Sequence, residues 1–82
     1  MAGIGGGRVI LNWIPVIGST RVEAIAYDPD TETIYARFNE GVEWWYGACP
    51  QMIWEEFSSP NTSKGQYINQ VLNSHPNGRH VG

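Results

Sequence analysis

Basic residues are scarce in this chain. It has one lysine and four arginines against eight acids in 82 residues, giving a net charge of −3. Phosphate neutralisation needs clustered Lys and Arg, so the balance weighs against nucleic acid as the primary partner. Cysteine is almost absent. The single Cys49 excludes an intramolecular disulfide and reads as a small buried apolar residue in a reducing compartment. Cys49, His75 and His80 do not supply four closely spaced ligands, so no metal site is expected. A long hydrophobic run is also missing. Val9 to Ile17 is interrupted by Asn12 and Pro15 and is too short to span a bilayer. Glycines stand where a secretory leader would carry its apolar stretch. The expectation is a soluble, cytoplasmic domain with no membrane partner, in which the sequon Asn61-Thr62-Ser63 carries no sugar. No cofactor is expected either. Gly3 and Gly5 begin a dinucleotide-like spacing, but no strand precedes them and Arg8 stands at the last glycine position.

What is present is a small set of large rings. Aromatics make up 12% of the chain, and five of the ten lie between Ile34 and Pro50. A single domain of this size needs them to fill its core. Residues 1–7 are glycine-rich and are expected to be flexible. Residues 8–17, RVILNWIPVI, read as an extra N-terminal strand ending near Pro15, with Val9, Leu11 and Trp13 alternating against Ile10 and Asn12. Such a strand either covers the core of its own chain or recruits a second copy. Residues 18–27 are locally ambiguous. Thr20 and Glu23 fit a helix capping box, whereas Val22, Ala24 and Ala26 alternate as a strand does. Asp28-Pro29-Asp30 then forces a turn, and Thr31 to Phe38 is a cleaner strand.

Asn39-Glu40-Gly41 reads as a three-residue hairpin loop with glycine at the left-handed position. Pairing Phe38 with Val42 fixes the register: Arg37 opposite Glu43, Ala36 opposite Trp44, Tyr35 opposite Trp45, Ile34 opposite Tyr46. Opposite charges and aromatic pairs each contribute roughly 0.2–1 kcal/mol, and a one-residue slip loses them. One face then carries Ile34, Ala36, Phe38, Val42, Trp44 and Tyr46. The other carries Tyr35, Arg37, Glu43 and Trp45. Pro50 opens a short helix whose apolar side is Ile53, Trp54 and Phe57, with Glu55 and Glu56 facing water. Ser63 is a candidate cap for a second helix with the stripe Tyr67, Ile68, Val71 and Leu72, although Gly65 in its first turn costs about 1 kcal/mol against alanine. The expected core is Ile34, Phe38, Trp44, Tyr46, Ile53, Phe57, Tyr67 and Ile68. Residues 74–82 contain His-Pro and Asn-Gly breakers and are expected to form a flexible tail.

Residues 18–73 resemble the KTSC domain, named for its occurrence at the C-terminus of some lysyl-tRNA synthetases and found also as stand-alone bacterial and phage proteins. The resemblance rests on Ser19-Thr20 with Val22, Ile25-Ala26-Tyr27-Asp28, Phe38 with Gly41, Trp44-Trp45-Tyr46, Cys49-Pro50, and Ser63-Lys64-Gly65-Gln66-Tyr67-Ile68-Asn69. The family's central Tyr-x-Tyr is Trp44-x-Tyr46 here, its usual glycine before Tyr27 is Ala26, and its usual valine before the proline is Cys49. The resemblance implies a small α+β fold: an antiparallel β-meander of three to four strands, then two short helices packed on one face. It implies that the Val22 segment is a strand. It implies no activity, the family being of unknown function with RNA binding suggested by the synthetase context.

An enzyme is not expected. A Cys49 nucleophile would need His75 beside it, and His75 falls in the expected tail. Glu55 and Glu56 are adjacent on a helix and point apart. Two binding functions remain. A protein-interaction module would use Trp13, Tyr35, Arg37, Glu43 and Trp45, residue types that dominate interfaces. A phage-type accessory role against a host protein fits that reading, and the N-terminal strand offers a route to homo-oligomers. The alternative is RNA binding, with bases stacked on the exposed rings at about 1–3 kcal/mol each.

Overall fold

The computed structural model describes residues 10–81. The flexible segment expected at 1–7 lies outside them. The described chain is an α+β unit built on a five-stranded antiparallel sheet in the order β1-β2-β3-β4-β5: β1 Ile14–Pro15, β2 Val22–Asp28, β3 Thr33–Phe38, β4 Glu43–Tyr46 and β5 Asn77–Arg79. Two helices, α1 Gln51–Ser58 and α2 Lys64–Gln70, and a 3-10 turn at Leu72–Ser74 lie between β4 and β5.

The hairpin forms in the register that its charges and rings demand. Ile34 faces Tyr46, Tyr35 faces Trp45, Ala36 faces Trp44 and Arg37 faces Glu43. Gly41 takes φ +93°, and the Phe38 N–H donates to Val42 O at 2.8 Å. The ambiguous segment is strand β2. Ser19 Oγ accepts from the Arg21 and Val22 N–H groups, so this hydroxyl closes a turn before the strand rather than capping a helix. At the Asp28 turn, Oδ1 accepts from the Asp30 N–H at 3.0 Å. Of the strand expected at 8–17, residues 8 and 9 lie outside the described residues, and among the rest the pairing covers Ile14 opposite Ile25 and Pro15 opposite Ala24.

Both helices cover one face of the sheet. Val22, Ile25, Ile34, Ala36 and Tyr46 from the strands meet Cys49, Phe57, Ile68 and Leu72 in one buried cluster. Of the expected core, Ile34, Tyr46, Phe57 and Ile68 are fully buried, whereas Phe38, Trp44, Ile53 and Tyr67 are half-buried and pack against its edge. Pro50 is the residue before α1, and Ser63 Oγ accepts from the Gln66 N–H to cap α2. Lys64 is buried, its ammonium donating to Ser59 O at 2.8 Å and Thr62 O at 3.0 Å. That ties the loop between the helices to the start of α2.

The flexible tail expected at 74–82 is corrected. Asn77–Arg79 forms a fifth strand along β4, with Gly78 opposite Trp45. Gly47 N–H donates to Pro76 O at 2.7 Å and His80 N–H to Glu43 O at 2.9 Å. The cause is non-local: without β5, strand β4 would be a bare edge with unpaired backbone groups. The breakers shape the approach, and the strand itself is three polar or glycine residues that no periodicity marks.

Candidate functional site

Strand pleat and register place Trp13, Ala24, Ala26, Tyr35, Arg37, Glu43, Trp45, Gly78 and His80 on the sheet face opposite the helices. Ala26 lies opposite Tyr35 and Ala24 opposite Arg37. The Trp13 ring, arriving from beside β1, meets the Tyr35 ring edge-on at 6.5 Å and sits under the Arg37 guanidinium at 4.4 Å. To reach β3 from β1 it must cross β2, and the two alanines make that crossing shallow. They are buried on a face that no helix covers. This is why the strand shows no clean alternation of burial.

Arg37 is the hub. Its Nε donates to Glu43 Oε2 at 2.9 Å, and Nη1 lies 4.0 Å from Glu23 Oε2. His80 Nε2 lies 3.8 Å from Glu43 Oε1, and its ring meets Tyr35 edge-on at 4.8 Å. The five expected binding residues therefore share one face, but not as one ring stack. Tyr35 and Trp45 are opposite in register, yet the rings beside Tyr35 are those of Trp13 and His80. The Trp45 indole instead leans over Gly78, where an added Cβ would lie 3.0 Å from Nε1, and also approaches Gly47. Trp13 thus covers Ala24 and Ala26, and β5 supports Trp45. Trp44 and Trp45 are both half-buried, although they point to opposite faces. Trp44 is not sealed in the core. Its Nε1 donates to Asn77 Oδ1 at 2.9 Å near the rim.

Glu23 and His80 complete the cluster without any local sequence signal. Glu23 sits at the bulge between Val22 and Ala24, and His80 enters only because β5 exists.

His75 is also brought in from the expected tail. Its Nδ1 lies 3.6 Å from Cys49 Sγ and 3.1 Å from Gly47 O. The thiol itself donates to Gly47 O at 3.3 Å. The pair has proximity but not the chemistry of an activated nucleophile. Cys49 has no exposed surface, and burial pushes its thiol up to about 11. With both groups directed at one carbonyl, the arrangement stitches the start of α1 to the turn before β5. Among the described residues, no group of three or more His, Cys, Asp or Glu converges as metal ligands do. No helix among them is long and apolar enough to cross a membrane.

The model of one protein family, the KTSC domain, matches residues 18–75. The fold is similar to the crystal structure of a KTSC domain protein from Yersinia pestis, with a TM-score of 0.77 and 26% sequence identity, covering 88% of this chain and 100% of that one. No curated protein matches the sequence significantly.

Proposed function

The chain belongs to the KTSC domain family, and on that premise we propose that it is a non-catalytic binding domain whose outer sheet face takes a protein partner. The observation that carries this reading is the one-sided cover of the sheet. Both helices lie on one face, and the other presents Trp13, Tyr35 and Trp45 around the paired Arg37. Each of these side chains is held by its neighbours, so little rotamer freedom remains to be lost on binding. Glu23 and Glu43 flank the rings. The complementary partner has an apolar centre with basic groups at its rim. An accessory role, phage-type and directed at a host protein, is consistent with such a surface.

RNA draws less support from the same geometry. The Arg37 guanidinium is already engaged by two carboxylates, which would also repel phosphates. Self-association through β1 draws support from the edge position of that strand and from the exposed Ile14 and Ile17 beside it.

The test is affinity capture with the full chain, its Trp45→Ala and Tyr35→Ala variants, and RNase treatment. A specific protein should be retained after RNase and lost from both variants, with each variant shown to be folded by its circular dichroism and melting curve. Capture that survives both substitutions, or that vanishes with RNase, contradicts the reading.

A further inference from the structure

A second surface lies away from the rings. A cleft of about 740 Å³ opens between the β1–β2 connection and the loop joining α1 to α2. That volume suits a small ligand. Its lining includes Ile14, Ile17, Ser19, Arg21, Ser63 and Lys64. No Asp or Glu lines it.

Its charge is unbalanced. Among the described residues the ion pairs involve only Arg37 and His80, so neither Arg21 nor Lys64 has a carboxylate partner. Arg21 Nη1 donates to Asn69 Oδ1 at 3.2 Å, which leaves most of the guanidinium's five donors unused. Lys64 spends two donors on neutral carbonyls, and its ammonium lies 5.9 Å from the centre of the Phe57 ring. Burial lowers the pKa of its ammonium, as expected where no counter-charge offsets lost hydration. The hydroxyls add to the surplus. Ser19 Oγ accepts two backbone N–H groups and Ser63 Oγ accepts one, so the hydrogen of each hydroxyl remains to be donated. The lining is therefore rich in donors and positive charge, and it also carries the exposed apolar side chains of Ile14 and Ile17.

We propose that this cleft binds a small amphiphilic anion, a phosphate or carboxylate head carried on a short apolar body. The head meets Arg21 and the two hydroxyls beside the Lys64 charge, and the body lies along the exposed Ile14 and Ile17. The site is separate from the ring-bearing face and does not depend on a protein partner binding there.

The test is a titration of the full chain followed by amide NMR at constant ionic strength, with hexyl phosphate, hexanoate and uncharged hexanol as probes. Saturable shifts are expected at residues 19–22 and 63–66 with at least one anion and not with hexanol at equal concentration. The anion that produces them identifies the head group. Arg21→Gln, which removes an exposed charge and keeps an amide to meet Asn69, is expected to weaken binding at least fivefold. Ile14→Thr is expected to weaken it about threefold, and Glu40→Gln, an exposed change in the hairpin loop, to leave it unchanged. Lys64→Met is less informative because the ammonium also ties two carbonyls. The proposal is overturned if neither anion gives saturable shifts there, if hexanol gives the same shifts, if Arg21→Gln binds as the parent does, or if Glu40→Gln weakens binding as much as Arg21→Gln.

Discussion

Cys49 and Gly78 show how single positions carry this fold. Cys49 is fully buried, and burial pushes its thiol from 9.0 up to about 11. The unfolded chain loses this proton first, so it binds fewer protons than the folded chain between those values. Stability must then fall as pH rises from 9 to 11. The loss is on the order of 2–3 kcal/mol across that window. Tyr46, whose hydroxyl burial pushes from 10.0 to about 12, adds the same sign of effect above pH 10. Urea midpoints measured from pH 7 to 11 should therefore decline from pH 9 onward, and Cys49→Ala should show no decline up to pH 10, the lowered pKa of Lys64 acting in the opposite sense. Parallel decline of the two proteins below pH 10 would show that the thiol is not the cause. At Gly78 an added methyl would lie 3.0 Å from Trp45 Nε1 and 3.2 Å from Cε2 and Cζ2. Gly78→Ala must push the indole off β5, at a cost of about 1–3 kcal/mol. Chemical unfolding measures it, and an unchanged midpoint would mean that the indole moves freely.

At the scale of elements, strand β5 matters more than its length suggests. It satisfies the β4 edge, accepts the Trp44 N–H through Asn77 and underlies Trp45. Ending the chain after Pro76 should destabilise it by about 2–4 kcal/mol, from lost ladder bonds, cross-strand pairs and ring cover. Trp45 fluorescence in the truncated protein should shift to the red, compared against a Trp45→Phe background. Full stability after truncation would return this segment to the status of a dispensable tail. The cap of α2 is a smaller effect. Ser63 Oγ accepts the Gln66 N–H at 3.5 Å, so Ser63→Ala should cost only about 0.5 kcal/mol, the low end for a lost cap. Hairpin and helices were legible because each is set locally. Gly41 permits the turn, Arg37 and Glu43 fix the register, and Phe57 and Ile68 repeat at helical spacing. β5 was not legible because its pairing partner lies some thirty residues upstream.

For the molecule as a whole, the sheet separates two chemistries. On the ring-bearing face Arg37 is offset by Glu23 and Glu43. The cleft on the other side of the molecule holds Arg21 and Lys64 without acids. Capture of a protein through the rings should therefore survive a rise from 0.1 to 0.5 M salt, since apolar contact is screened little. RNA binding through phosphates would collapse over a narrower range, by about 10³–10⁵ for six to ten contacts. Capture that falls by such a factor would move the functional site from the rings to the basic residues.

The sequence by itself determined strands β3 and β4, the hairpin register, both helices and the placing of Tyr35, Arg37, Glu43 and Trp45 on one face, because turn residues, periodicity and cross-strand pairs act over short separations; β2 was settled only by the family resemblance. Tertiary structure alone decided three things. Trp13 lies over Ala24 and Ala26, the C-terminal strand supports Trp45 and delivers His80, and His75 meets Cys49. Each depends on which backbone edge or shallow face remains free once the hairpin has closed. That is a property of the assembled sheet, which no local pattern of residues encodes.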